Sequence, residues 1–245
     1  ERLIKSPSPQ PIGELCLSLV AHGFPAFLKY AQRREEEKIK ELGKEFGITK
    51  TRPPKVAYIT DTYHHINGVA RSAKLIRQIA MEEDLPFTVL ISSSSIREEE
   101  GLINLRPLVE IPTPFYEELK MGLPNFLDLV DLLEKEGFTQ VHIATPGPLG
   151  LLGLLAGKIL GLRITFAFHT DIPTYARTYT GDPDLEELLW KAFVFIGNMS
   201  HKFFVPSEYY KKVFVNKGLS YGKIGIFKRG VDTDLFSPDK REDGF

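Results

Sequence analysis

From Lys55 onward, short apolar runs alternate with segments whose apolar residues recur at helical spacing, and few architectures accept that pattern. Val56-Ala57-Tyr58-Ile59 reads as a first strand, and Val69, Ala73, Ile76 and Ala80 mark one face of the helix after it, with Arg71, Lys74 and Arg77 on the solvent side. Phe87 to Ile91 is the next strand, and a loop rich in Ser and Pro leads to a helix from about Pro124 to Glu136. Val141–Ala144, Ile164–Phe168, Lys202–Val205 and Ile224–Phe227 read as further strands. Between them lie helices over Pro148–Leu160, Asp184–Asn198 and Ser207–Lys217. Strands that are apolar throughout, each followed by a helix, imply a parallel sheet covered on both faces. The right-handed crossover rule then gives an α/β, doubly wound, mostly parallel Rossmann-like sheet.

Residues 1–52 follow another pattern. Ser6-Pro7-Ser8-Pro9 resembles a linker, Ile12, Leu15, Cys16, Leu19 and Val20 fall at helical spacing, and a second helix is expected from Pro25 to Phe46. This segment reads as a helical extension or the tail of a preceding domain; residues 53–238 read as the Rossmann-like domain and 239–245 as the start of a linker. The formal charge of −1 over 245 residues gives no general attraction to nucleic acid, which is not expected as a partner. Cys16 is the only cysteine, so a disulfide framework and a Cys-based metal cluster are excluded and a cytoplasmic setting is expected. The longest apolar stretch, Leu149 to Leu162, is broken by glycines and Lys158 and is too short to span a bilayer.

In an open parallel sheet ligands bind beyond the carboxyl ends of the strands. There the sequence places Asp61, Tyr63, His64, His65, Asn67 and Gly68 after the first strand, and Thr145, Pro146 and Gly147 after the Val141 strand. His169, Thr170 and Asp171, then Tyr175 and Arg177, follow the Ile164 strand. Gly68 opens a helix directly, so its bare N–H end suits a phosphate; the plain alternative makes Asn67 a helix cap and Gly68 a turn residue. His169 and Asp171 suit work on an acceptor hydroxyl, or else a turn in which Asp171 caps backbone amides. His64 and His65 with His169 and Asp171 also have the residue types of a metal site, though adjacent histidines on an extended loop point apart. No Gly-x-Gly-x-x-Gly follows the first strand and no P-loop signature occurs. Gly150, Gly153 and Gly157 read as close helix–sheet packing. Arg71, Lys74, Arg77 and Tyr209-Tyr210-Lys211-Lys212 read as solvated helix faces, or as contacts to a membrane surface or a phosphorylated acceptor.

Five segments together resemble glycosyltransferase family 4, a family of retaining enzymes with the two-domain GT-B fold. They are Asp61-Thr62-Tyr63 with Ile66-Asn67-Gly68-Val69-Ala70-Arg71, then Ile143-Ala144-Thr145-Pro146-Gly147-Pro148-Leu149-Gly150, then Phe168-His169-Thr170-Asp171-Ile172-Pro173 with Tyr175. Val205-Pro206-Ser207 and Arg229-Gly230-Val231-Asp232 with Phe236-Ser237-Pro238 complete the order. The resemblance covers Lys55 to Pro238 and looks most like the glycolipid- and mannosyl-transferring branch. It implies transfer of a sugar from a nucleotide-sugar donor to a hydroxyl of a lipid or sugar acceptor, without cofactor or essential metal, with contact to the periphery of a membrane. By the same resemblance Asn67, Gly68 and Arg229 lie against the donor phosphates, His169 and Asp171 are catalytic, and Tyr63, Tyr175 and Arg177 shape the acceptor pocket.

Members of the family follow the last segment with a second Rossmann-like domain, bearing a Glu-x₇-Glu motif, that holds most of the nucleotide. The expectation is an N-terminal, acceptor-side half that is inactive alone. Enzymatic transfer requires about 8 kcal/mol or more of barrier lowering, whereas one helix N-terminus contributes about 0.3–1 kcal/mol towards a phosphate charge. Two other classes fit the same residues: a metal-dependent hydrolase using the rim histidines, and a non-catalytic binding module.

Overall fold

The computed structural model describes residues 54–113, 116–227 and 237. The expected helical extension over 1–52, the linker over 239–245 and Arg229 lie outside the described residues. Within them, seven parallel strands form one sheet: β1 (Val56–Ile59), β2 (Phe87–Ile91), β3 (Leu102–Asn104), β6 (Gln140–Ile143), β7 (Arg163–Ala167), β8 (Lys202–Val205) and β9 (Ile224–Ile226). Their spatial order is β3-β2-β1-β6-β7-β8-β9. A separate antiparallel hairpin pairs β4 (Pro107–Thr113) with β5 (Tyr116–Pro124). The helices are α1 (Gly68–Glu82), α2 (Phe126–Lys135), α3 (Pro148–Ile159), α4 (Ile172–Thr180), α5 (Pro183–Met199) and α6 (Glu208–Asn216). The α/β, doubly wound reading of the sequence is the fold observed.

Strand order reverses at β1, where Ile59 lies opposite Leu90 of β2 on one side and Ile143 of β6 on the other. Crossovers leave β1 in one direction and β6 in the other, so right-handedness puts their helices on opposite faces. Alternation along each strand serves both faces. Tyr58, Val89, Ile91 and Leu102 pack with Val69 and Ala73 of α1. Ile59, Val141, Ile143, Ile164, Phe166 and Phe203 pack with the apolar sides of α2, α3, α5 and α6. The glycines of α3 sit on this second face as the sequence suggested. A Cβ on Gly153 would lie 2.4 Å from Ile59 Cδ1, and one on Gly157 3.0 Å from Ile164 Cγ1. One on Gly150 would lie 1.9 Å from the Thr145 carbonyl oxygen.

Four elements depart from the sequence reading. The stretch taken as a Ser- and Pro-rich loop contains β3 and the β4–β5 hairpin, and the stretch after Asp171 is a nine-residue helix, α4. The hairpin rests on the carboxyl end of β2: a Cβ on Gly122 would lie 2.4 Å from the Ser92 carbonyl oxygen, an approach that only glycine allows.

Candidate functional site on the carboxyl rim

The β1–α1 and β6–α3 loops meet at the strand-order reversal, and Asp61 joins them. Its backbone N–H donates to Thr145 Oγ1 at 2.7 Å, and the same hydroxyl donates to Asp61 Oδ2 at 2.7 Å. The Leu149 amide donates to Oδ1 at 2.9 Å and the Gly150 amide to Oδ2 at 3.3 Å. Gly147, the residue before α3, has no side chain to cap that helix, so the cap arrives from β1. A Cβ on Gly147 would stand 2.4 Å from the Asp61 carboxyl carbon. Burial pushes the Asp61 pKa up to about 6, while the bonds from Thr145, Leu149, Gly150 and Gly147 act the other way.

Six residues further on, Asn67 caps α1 locally. Its Oδ1 accepts from the Val69 amide at 3.0 Å and the Ala70 amide at 2.8 Å, and its carbonyl accepts from the Arg71 amide at 3.1 Å. Asn67 and Gly68 are both exposed. The cap reading of Asn67 therefore holds, and Gly68 stands at the open end of a fifteen-residue helix.

Tyr63 is buried beneath this loop. Arg77 Nη1 donates to its hydroxyl at 3.2 Å, and Lys74 Nζ lies 5.6 Å from its ring centroid. Arg77 was expected on a solvated face, but its side chain is 16% exposed. Its guanidinium pairs with Glu99 at 3.0 Å and donates from Nε to the Glu100 carbonyl at 2.8 Å, because the loop from β2 to β3 folds back over α1. Tyr63, His64, Lys74, Arg77, Met81 and Ile96 are among the residues lining a cavity of about 610 Å³ between that loop and α1. Burial first, then the charges of His65 and Lys74, lower the His64 pKa to about 4 against an opposing effect of Glu110; burial lowers that of His65.

The second group of site residues follows β7, two strand spacings or roughly 10 Å along the rim from β1. Phe168 anchors it, with its ring 5.0 Å from Phe193, 4.9 Å from Phe214 and 5.3 Å from Tyr210. His169 meets the Phe227 ring edge-on at 6.3 Å. Asp171 caps α4, accepting from the Thr174 amide at 3.1 Å through Oδ1, and from the Tyr210 hydroxyl at 2.9 Å through Oδ2. Tyr175 is exposed on α4. Arg177 lies in the last turn of that helix and pairs with Glu186 of α5 at 2.9 Å rather than with another predicted site residue.

Tyr63, Asn67 and Gly68 thus lie along the β1–α1 loop and the first residue of α1, and His169, Asp171 and Tyr175 along the β7–α4 loop and the first turn of α4. Among the described residues no three of His, Cys, Asp and Glu come together in a way that could hold a metal ion. No helix among them is long and apolar enough to cross a membrane. The sequence marked Asp61 as a rim residue but showed neither its capping of α3 nor the reach of Tyr210 to Asp171.

The family model of Glycosyltransferase Family 4 matches residues 66–235. The chain is 30% identical over 132 residues to a GDP-mannose-dependent alpha-mannosyltransferase of Mycobacterium tuberculosis, a stretch covering 53% of this chain and 33% of that protein. It is 23% identical over 128 residues to the sulfoquinovosyl transferase of Arabidopsis thaliana, covering 52% of this chain and 25% of that one. The Anabaena HepE protein, solved in complex with UDP and glucose, shares the fold at 14% identity and a TM-score of 0.50 over 76% of this chain and 48% of its own. The matched stretches span a third or less of the two curated relatives. Running from Ile66, just before Asn67 and Gly68 at the start of α1, through the rim group after β7 and past β9, the family match covers well over half of the sequence, and the chain belongs to glycosyltransferase family 4.

Proposed function

We propose that residues 53–238 are the N-terminal, acceptor-side domain of a retaining transferase that moves a sugar from a nucleotide-sugar donor to an acceptor hydroxyl in the cytoplasm. One observation carries the reading. Of the two helix starts that meet at the strand-order reversal, the start of α3 is already occupied by the Asp61 carboxylate, whereas α1 begins with an exposed glycine behind a neutral cap. An anionic donor group is attracted to the second and repelled by the first. Asn67 and Gly68 then face the donor phosphates, with Arg229 adding positive charge. Asp171 orients the acceptor hydroxyl, His169 stands beside the reacting sugar, and Tyr63, Tyr175 and Arg177 bound the acceptor. The acceptor is a sugar or a lipid, met in solution or at the periphery of a membrane, and neither cofactor nor metal takes part.

The magnitudes call for a second domain. A single helix start supplies about 0.3–1 kcal/mol towards a phosphate, against about 8 kcal/mol for the slower end of enzymatic catalysis. The clamp on the departing diphosphate must therefore come largely from a second Rossmann-like domain, and these residues alone bind but do not turn over. Calorimetric titration of the chain with UDP-, GDP- and ADP-sugars tests this. Weak binding that needs no metal and disappears in Gly68→Trp is the expected result. Binding unchanged in that variant would sink the phosphate assignment, and turnover by these residues alone would remove the need for a second domain.

A further inference from the structure

The Tyr209-Tyr210-Lys211-Lys212 segment does not behave as a solvated face at Tyr210. From α6 this phenol reaches the start of α4 and donates to Asp171 Oδ2 at 2.9 Å, while the Thr174 amide holds Oδ1 at 3.1 Å. Both carboxylate oxygens are therefore fixed, and each keeps acceptor capacity for a further hydroxyl. The Tyr210 ring leans on Phe168 at 5.3 Å and meets Tyr209 edge-on at 5.2 Å. Tyr209 and Tyr175 are 68% and 55% exposed. Tyr175 lies one helical turn beyond Asp171, and its amide donates to the Asp171 carbonyl at 3.0 Å; burial, then Asp171, and lastly Tyr209 and Tyr175 push the Tyr210 pKa up to about 12. Lys211, the residue after Tyr210, lies with its ammonium over the Tyr221 ring at 3.9 Å.

We propose that α6 completes the acceptor site: Tyr210 positions the Asp171 carboxylate, Tyr175 and Tyr209 flank it with open aromatic rings, and the group received there is an uncharged pyranose ring. The inference rests on the reading of this rim as an acceptor site and narrows it. A pyranose offers apolar C–H faces that pack on aromatic rings and hydroxyl edges that donate to a carboxylate. A phosphorylated head group meets the Asp171 charge with the Lys211 ammonium over the Tyr221 ring, and is disfavoured. Tyr210 acts through Asp171 and is a positioning residue.

The test is saturation-transfer NMR on the 245-residue chain, with methyl α-D-glucopyranoside, methyl α-D-mannopyranoside and a short-chain diacylglycerol as probes. Saturation of the ring protons of at least one glycoside is expected, weakened about fivefold in Tyr209→Ala and weakened further, but still measurable, in Asp171→Asn. Tyr210→Phe retains the ring against Phe168 and is expected to weaken binding only while Asp171 is present. The double variant Asp171→Asn/Tyr210→Phe then matches Asp171→Asn alone, an equality that a purely structural Tyr210 would not produce. Saturation of the acyl probe alone, saturation of neither glycoside, or binding indifferent to Tyr209→Ala overturns the proposal. Failure here with nucleotide-sugar binding intact at Gly68 rejects the pyranose site and leaves the transferase reading standing. Glycoside binding without nucleotide-sugar binding does the reverse.

Discussion

The starts of α1 and α3 lie side by side on the carboxyl rim, yet their positive ends are treated in opposite ways. In α1 the cap is a neutral side chain from the adjacent residue, and both Asn67 and Gly68 face solvent. In α3 the cap is a carboxylate brought from β1 and buried together with Thr145. The difference is the one the proposed division of roles calls for. A buried anion at a helix start neutralises it and fastens two loops together, so that end serves structure; a neutral, exposed cap leaves the end electropositive and open to an external anion.

Removing the buried cap is expected to have the largest effect. Asp61→Ala leaves the Thr145 hydroxyl and the Leu149 and Gly150 amides without their acceptor in a buried place. A destabilisation of about 3 kcal/mol is expected, allowing for the burial penalty that the carboxylate itself carries. Urea unfolding measures it. A loss below about 1 kcal/mol would show that α3 can do without its remote cap, and the contrast with α1 would fail.

The contrast also has a pH signature. Asp61 has a folded pKa of about 6, above its ordinary 3.8, so the folded chain binds this proton more tightly than the unfolded one. Its contribution is fully present below about pH 3.8 and is lost as the pH rises through about 6. His142 runs the other way. Burial, and then the charge of His169, lower its pKa to about 4, while its Nδ1 lies 2.8 Å from Thr165 Oγ1 and its ring stacks on Tyr58. That contribution is present above about pH 6.5 and is lost as the pH falls through about 4. Each spans about 3 kcal/mol at most, and between pH 6.5 and 4 they offset each other. Asp61→Asn should therefore melt with a steeper loss on acidification than the unmodified chain, and His142→Gln with a shallower one. Calorimetric melting points at pH 6.5 and 4.5 decide it; parallel slopes in all three proteins would contradict both shifts.

The difference between the two caps also explains what could be read in advance. Buried parallel strands are continuous apolar runs, so six of the seven sheet strands were legible. Leu102–Asn104 is too short to carry a pattern, and in β4 Leu108 and Val109 are both exposed, so no alternation marks that strand. Asn67 was legible as a cap because its partners are two and three residues away. Asp61 finds its partners 84 to 89 residues away and Tyr210 finds Asp171 39 residues away, distances at which only the folded topology makes neighbours. Arg77 was assigned to solvent because helical periodicity knows nothing of a loop that folds back onto the helix from elsewhere in the chain.

The smallest expected change in stability is the one that sharpens the comparison most. Asn67→Asp retains an oxygen acceptor for the Val69 and Ala70 amides while giving α1 the kind of charge that α3 already has. Next to the helix dipole this is expected to stabilise the chain by about 0.5 kcal/mol. Its effect on an external anion has the opposite sign, because a carboxylate near a donor phosphate repels it, and nucleotide-sugar binding should weaken by roughly tenfold or more. Asn67→Ala is the complement: it costs about 1 kcal/mol of stability but adds no charge, and so should weaken binding far less than Asn67→Asp. Paired calorimetric and unfolding measurements on the two variants separate cap from charge. If both weaken binding equally, the start of α1 holds its ligand by shape rather than by charge, and its difference from α3 is one of exposure alone.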